Sequence, residues 1–209
     1  MKKNEKNQRK NKMKYIYIIA IIGILFDQIT KFVISLLFNS TSCSNIICVQ
    51  APCTNNCLAE LIYEGGTYLG LDVIPGKGIE IIKNFFYILK VENTGGAWGL
   101  FSGNVVFLAL ISLFVTIMLF SFVKNEEKDK KLNKISIIYY GFLFSGIIGN
   151  MLDRVFHGYV LDFFNFYIFG YDYPVFNVAD IFIVVGVILM IIDVVRGEIY
   201  AYNKRKGKC

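Results

Sequence analysis

Residues 149–180 read GNMLDRVFHGYVLDFFNFYIFGYDYPVFNVAD. The stretch holds four acids (Asp153, Asp162, Asp172, Asp180), three asparagines of which Asn150 and Asn177 stand out, Arg154 and the chain's only histidine, His157. It lies between two long apolar runs, 135–152 and 175–195. Polar residues packed at a membrane boundary are costly to keep and call for an explanation. If both runs cross a bilayer, the whole polar stretch is left at one face of it.

The wider composition agrees with that reading. Charged residues make up 18% of the 209 and apolar ones 55%, with a mean hydropathy of +0.51. A soluble domain would carry about 25% charged residues. The net charge of +6 does not imply nucleic acid, because the basic residues cluster at the ends of the apolar runs. Residues 1–14 carry seven Lys or Arg and one Glu and read as a basic tail. Residues 15–38 form a first span, longer than the 7–15 apolar residues or so of a secretory signal and without a small-residue cleavage site after it. A second span covers 104–123 and the lysine-rich segment 124–134 follows. Spans three and four are 135–152 and 175–195, and a basic tail closes the chain at 196–209. Along span three, Gly141, Ser145 and Gly149 repeat every four residues, a pattern that permits close helix packing.

Basic residues number seven, five and five in 1–14, 124–134 and 196–209, against three lysines in 39–103. The positive-inside rule therefore places both ends in the cytoplasm and segments 39–103 and 153–174 outside. The expected fold is a membrane α-helical, four-transmembrane-helix bundle, N-in and C-in, with a small extracytoplasmic β-rich element around residues 80–101. The outer segment 39–103 carries Cys43, Cys48, Cys53 and Cys57, separated by four, four and three residues. On an oxidising face this reads as two disulfides, with three possible pairings. A zinc site is the rival, weakened by the lack of a repeated CxxC.

This orientation gathers the unusual polar residues at one face. Asp27 and Lys31 in DQITK sit toward the outer end of span one, four residues apart and able to pair. Asn93 opens ENTGGAWGLF, whose Gly95 suits a close backbone approach and whose Trp98 and Phe101 suit interfacial anchoring. Asn150, Asp153 and Arg154 end span three, while Asn177 and Asp180 begin span four. No serine with a base partner, no HExxH and no histidine cluster is present. Two carboxylates are then the natural reactive pair. Asn177 is a plausible N-cap, and a helix N-terminus favours ionised Asp180. Asp162 stands in the apolar setting YVLDFF, where desolvation raises a carboxyl pKa. Such unlike carboxylates can share one proton, one activating water while the other polarises a carbonyl. Capping and loop hydrogen bonding is the structural alternative. A small transporter or membrane assembly factor, using the same cluster for ions or a partner, is the functional one.

The chain resembles the lipoprotein signal peptidases (signal peptidase II), bacterial membrane aspartic proteases that mature prolipoproteins. The resemblance rests on DQITK at 27–31, NTGGAWG at 93–99, GNMLDR at 149–154, YVLDFF at 159–164 and PVFNVAD at 174–180, in family order. It implies a catalytic pair at Asp162 and Asp180. It implies supporting roles for Asn93, Gly95, Asn150, Arg154 and Asn177, for Asp27 and Lys31 from span one, and an architectural one for Asp153. It further implies a diacylglyceryl-modified prolipoprotein substrate, cut just before the lipidated cysteine. The implied setting is the bacterial cytoplasmic (inner) membrane, with the active site at its extracytoplasmic face. Membrane lipid and globomycin-like inhibitors are implied partners; no metal, other cofactor or nucleic acid is. Two departures stand out. Gly96, Ala97 and Trp98 replace the usual Ala-Ala-Phe, and the loop before Asn93 is longer than usual and carries the four cysteines.

Overall fold

A computed structural model of the chain describes residues 2–39, 46–48, 66–68, 71–74, 78–96, 100–129 and 132–206. Cys43, Cys53, Cys57, the side chain of Cys48 and Trp98 lie outside the described residues, and the expected disulfides with them. The described chain falls into two compact units, one helical and one built on a sheet.

The helical unit takes in Met1–Asp27, Ala109–Leu152 and Val178–Cys209. Four helices supply it: α1 (Lys2–Asn39), α2 (Val105–Lys128), α3 (Lys134–His157) and α4 (Val178–Arg205). Each is long and apolar enough to cross a membrane. At 1.5 Å per residue, even a 24-residue helix measures about 36 Å, against a hydrocarbon core of about 30 Å. Each helix also runs past its apolar stretch into charged sequence, so α2 still carries Lys124, Glu126 and Glu127 in its last turns.

Burial shows which faces meet protein and which meet lipid. None of the apolar window of α2 is buried, whereas 56% of that of α3 is. Phe107, Leu110, Phe114 and Ile117 of α2 are all exposed. A helix apolar all round and uncovered by protein needs lipid as its solvent. The chain is therefore a multi-pass membrane protein. α3 is the central helix, and its small residues make that possible. A Cβ on Gly141 would overlap Ile19 of α1, and one on Gly146 would overlap the carbonyl of Ala179 in α4. Ser145 lies opposite Gly23 of α1 and its hydroxyl donates to the Gly141 carbonyl at 2.8 Å. Buried Ile16, Ala20, Val123, Tyr139, Tyr140, Leu143 and Phe144 form the core between the helices.

The start of α3 is fixed by a reciprocal cap. Asn133 Oδ1 accepts the N–H groups of Ile135 (2.7 Å) and Ser136 (2.9 Å), and Ser136 Oγ accepts that of Asn133 (2.7 Å). Asn133 Nδ2 donates to both oxygens of Asp193 on α4 at 2.9 Å. Asp193 thus fastens α4 to the start of α3. Asn133→Ala removes cap and tether together and is expected to cost about 1–2 kcal/mol, measured as a lowered melting point in detergent.

The sheet unit takes in Gln28–Leu108 and Asp153–Asn177. Its strands are β1 (Ile46–Cys48), β2 (Gly66–Tyr68), β3 (Leu71–Ile74), β4 (Gly78–Ile82), β5 (Phe86–Asn93), β6 (Val160–Ile168) and β7 (Tyr171–Asp172). All pair antiparallel with their neighbours in chain order. Gly78 is obligatory at the start of β4: its φ is +94°, and a Cβ would overlap the Ile88 carbonyl of β5. Segment 153–174 is largely ordered into regular structure. Much of it is strand β6, with Leu161, Phe163, Asn165 and Tyr167 on one face and Asp162, Phe164 and Phe166 on the other. Both faces are largely apolar, which hides the period-two signal that marks a strand. On its other side β6 is flanked by the segment before α4, where Phe163 and Phe164 donate to the Phe176 carbonyl and Phe176 donates back to Phe164. The last span accordingly begins as helix at Val178, not at residue 175.

Aromatic stacking locks the β5–β6 register. Phe86 stacks on Phe166 with ring centroids 4.6 Å apart, and Tyr87 meets Tyr167 edge-on at 5.4 Å. Tyr167 also donates to Asp172 Oδ2 at 2.8 Å across the β6–β7 hairpin. Desolvation, reinforced by that acceptor, pushes the Tyr167 hydroxyl up to about 12.

Candidate active site

Asp162 sits at the third position of β6, between two neighbouring segments that each send it an amide. From β5, Asn93 Nδ2 donates to Asp162 Oδ2 at 2.9 Å. From the residue preceding α4, Asn177 Nδ2 donates to Asp162 Oδ1 at 2.6 Å and to the Leu161 carbonyl at 3.3 Å. Asp162 is 3% exposed and Asn177 fully buried. Amide donors offset the loss of water around a carboxylate and favour its ionised form.

The backbone makes this convergence possible. Val91 lies opposite Asp162 and Asn93 opposite Val160, so Asn93 reaches the aspartate diagonally across the ladder. A bulge between Ile88 and Val91 takes up one extra β5 residue. Counting back from the Ile88–Phe164 pair without it, Lys90 would face Asp162 and Glu92 would take the diagonal place. The bulge thus substitutes an amide for an acid beside the carboxylate, a local re-aiming that bulges commonly perform. The orientation of the Asn93 amide is fixed by its other end, where Oδ1 accepts the Gly95 N–H at 2.9 Å in an Asx turn. The Gly95 carbonyl in turn accepts from Arg154 Nη2 at 3.2 Å.

Behind Asp162 lies a second, buried group. Asp153 is 2% exposed, and its Oδ2 accepts the backbone N–H of Leu161 at 3.2 Å, one residue before Asp162. Lys31 Nζ pairs with the same Oδ2 at 2.8 Å, and Gln28 Nε2 donates to Oδ1 at 2.9 Å. Lys31 therefore reaches a carboxylate that its i,i+4 spacing to Asp27 does not reveal. Gln28, absent from the expected site, stands three residues before Lys31 and so on its face of α1. That spacing is the signal that could have found it.

The helical unit holds the remaining residues. Asn150 Nδ2 on α3 donates to Asp180 Oδ1 on α4 at 2.9 Å. Asp180 lies in the first turn of α4. Asp27 is fully buried, and its Oδ1 accepts the Ala179 N–H at 3.0 Å. It thereby meets the first turn of α4 from another helix, beside Asn177, the residue that sequence places at the N-cap and whose Nδ2 donates to Asp162. Gly149 permits this, since a Cβ there would lie 2.7 Å from Asp27 Oδ2. Asp27, Asn150 and Asp180 thus meet in one unit, and Lys31, Asn93, Gly95, Asp153, Arg154, Asp162 and Asn177 in the other. His157 and Asp172 take no part: His157 is exposed beside the Tyr159 ring, and Asp172 is engaged by Tyr167.

Comparison with known proteins places this arrangement in a family. Residues 19–196 match the family model described as signal peptidase (SPase) II. A lipoprotein signal peptidase of Staphylococcus aureus is 31% identical over 86% of this chain and 86% of its own length. One of Clostridium acetobutylicum is 42% identical over 63% of this chain and 82% of its own. Two solved structures, both described as a bacterial membrane enzyme obtained by the in meso method, also match. One, at 2.3 Å resolution, is 30% identical with a TM-score of 0.60 over 87% of both chains. The other, at 1.9 Å, is 31% identical with a TM-score of 0.58 over 86% of this chain and 91% of its own.

Proposed function

Because the chain belongs to the signal peptidase II family and is a membrane protease, we propose that it cleaves the signal peptide from diacylglyceryl-modified prolipoproteins, just before the lipidated cysteine. Asp162 and Asp180 are the reacting carboxylates. The ionised carboxylate takes a proton from water as the water oxygen attacks the scissile carbonyl. The protonated one donates to the carbonyl oxygen, and the tetrahedral intermediate then collapses with a proton passed to the leaving amine. The observation that carries this reading is the amide clamp on Asp162. Two asparagines from two neighbouring segments converge on one buried carboxylate, an investment that a merely structural acid on an apolar strand does not need.

Both chain ends lie in the cytoplasm on this reading, which the basic residues of the tails and of segment 124–134 support. The sheet unit and the carboxylates then stand at the outer face of the bacterial cytoplasmic membrane, where a lipid-anchored substrate presents its cleavage site. Asp27, Lys31, Gln28 and Asp153 position the backbone that carries the two carboxylates.

The test is a gel-mobility assay with purified protein and a prolipoprotein, with or without its diacylglyceryl group. Only the lipidated form is expected to shift, and a globomycin-like cyclic peptide is expected to block the shift. Equal cleavage of the unlipidated form would remove the lipid from the specificity. No cleavage of either form, by folded protein, would sink the reading.

A smaller effect is expected at Asn177. Removal of one hydrogen bond to a charged group costs about 1.5–3 kcal/mol, so Asn177→Ala should melt earlier as well as cleave more slowly. A variant with unchanged melting would mean that its amide does not hold Asp162.

A further inference from the structure

The β6–β7 hairpin turns through Phe169 and Gly170, between the paired residues Ile168 and Tyr171. Both turn residues have positive φ, 52° for Phe169 and 80° for Gly170. This tight turn belongs to Asn-Gly or Asp-Gly, since a bulky side chain is strained in the left-handed region. Asn-Gly would make the turn without strain and dissolve well in water; Phe-Gly does neither. The Phe169 ring is nonetheless completely exposed, with a relative accessibility of 106%. Strain that gains no protein contact points to a contact outside the protein.

The same unit repeats the device. Phe101 has a φ of 58° and is more than half exposed, meeting only the edge of Phe107 at 5.5 Å among the described rings. It lies four residues before Val105, where the lipid-facing helix α2 begins. Four residues of chain reach at most about 14 Å, so Phe101 stands at the bilayer boundary by connectivity alone. Beside Phe169, Tyr171 and Tyr173 meet edge-on at 5.0 Å and are both largely exposed. Exposed aromatics of this kind favour the membrane–water interface. A hairpin tip of this size falls well short of the roughly 800 Å² per partner that a specific protein interface needs.

We propose that the Phe169 tip, with Tyr171 and Tyr173 behind it, inserts into the interface of the bilayer that the chain spans and anchors the sheet unit there, as Phe101 does at the start of α2. This rests only on the membrane-spanning character of the chain and not on the assignment of the two carboxylates.

The full-length protein with Trp98→Phe and Phe169→Trp, reconstituted in phosphatidylcholine bilayers, leaves one tryptophan to report. Its emission is expected to be blue-shifted and quenched by lipids brominated near the top of the acyl chain, with little quenching by aqueous iodide. Quenching by iodide and not by the brominated lipid would put the tip in water and overturn the proposal. Shielding from both would mean that protein covers the tip, and would overturn it equally. In a second variant, Phe169→Asn, the strain is gone and the melting point in detergent is expected to rise. A fall would mean that the ring packs against the protein after all.

Discussion

Asp180→Asn is expected to reduce release of the signal peptide from a lipidated prolipoprotein by about 10⁴-fold or more, the scale seen when one member of a catalytic set is removed. Asp162→Asn should do the same, and the double variant should be no worse, because the two groups act as one unit. The pair also separates chemistry from architecture. At Asp180, one carboxylate oxygen accepts from Asn150 at 2.9 Å, and an asparagine can turn its own carbonyl to that donor. At Asp162, both oxygens already accept from amides, one from Asn93 and one from Asn177. An asparagine there must point its NH₂ at one of these NH₂ groups. One buried donor then goes unmet, at a cost of about 1–3 kcal/mol. Asp162→Asn should therefore lose stability as well as activity. Cleavage is read by gel shift and folding by thermal melting in the same detergent. Near-normal turnover by either variant would end the assignment of these two carboxylates.

Lys31→Met should cause the largest loss of stability, about 3–5 kcal/mol, by leaving the buried Asp153 carboxylate without its cation. The two side chains are 5% and 3% exposed and 2.8 Å apart, so water can do little to screen the loss. A second change makes the expectation specific. Asp153→Asn in the Lys31→Met background removes the orphaned charge, and the melting point should partly recover. Activity should not recover in proportion, because the Leu161 N–H then has a weaker acceptor and the backbone before Asp162 is held less firmly. If Lys31→Met melts like the parent, the pair is not the buried ion pair its geometry makes it.

The membrane part of the fold is legible because its signal is coarse. Runs of some twenty apolar residues bracketed by lysines need no tertiary information. Most of the polar residues that meet in space also stand out, since a polar group at the end of a span has few bland explanations. What stays hidden depends on register. Strand β6 is apolar on both faces, so no alternation announces it, and the bulge that places Asn93 rather than Glu92 near Asp162 leaves no mark in a single sequence. The partner of Lys31 lies on another element, out of reach of any i,i+4 rule. Asn177 sits where an N-cap belongs, but that its Nδ2 donates to Asp162, and that a buried aspartate from α1 meets the Ala179 N–H, is visible only in three dimensions. The glycines 141, 146 and 149 read as packing residues, but that Gly149 makes room for a carboxylate rather than for a helix backbone is visible only in three dimensions.

The order of the sheet has one more consequence. Each of β1, β2 and β3 pairs only with its neighbours in sequence, so together they extend the sheet outward from β4. Strands β1, β2 and β3 are therefore an extension at an edge of the sheet, and not an interruption of the ladder that carries the aspartate. Growth of that kind is thermodynamically mild, because closing a longer loop costs only about 0.6 kcal/mol per doubling of its length. Excising 46–74 would cut no hydrogen bond that β5, β6 or Asn177 makes to Asp162. These three strands are in this sense a module, free to be lengthened, shortened or given another task while the carboxylate and its two asparagines keep their register.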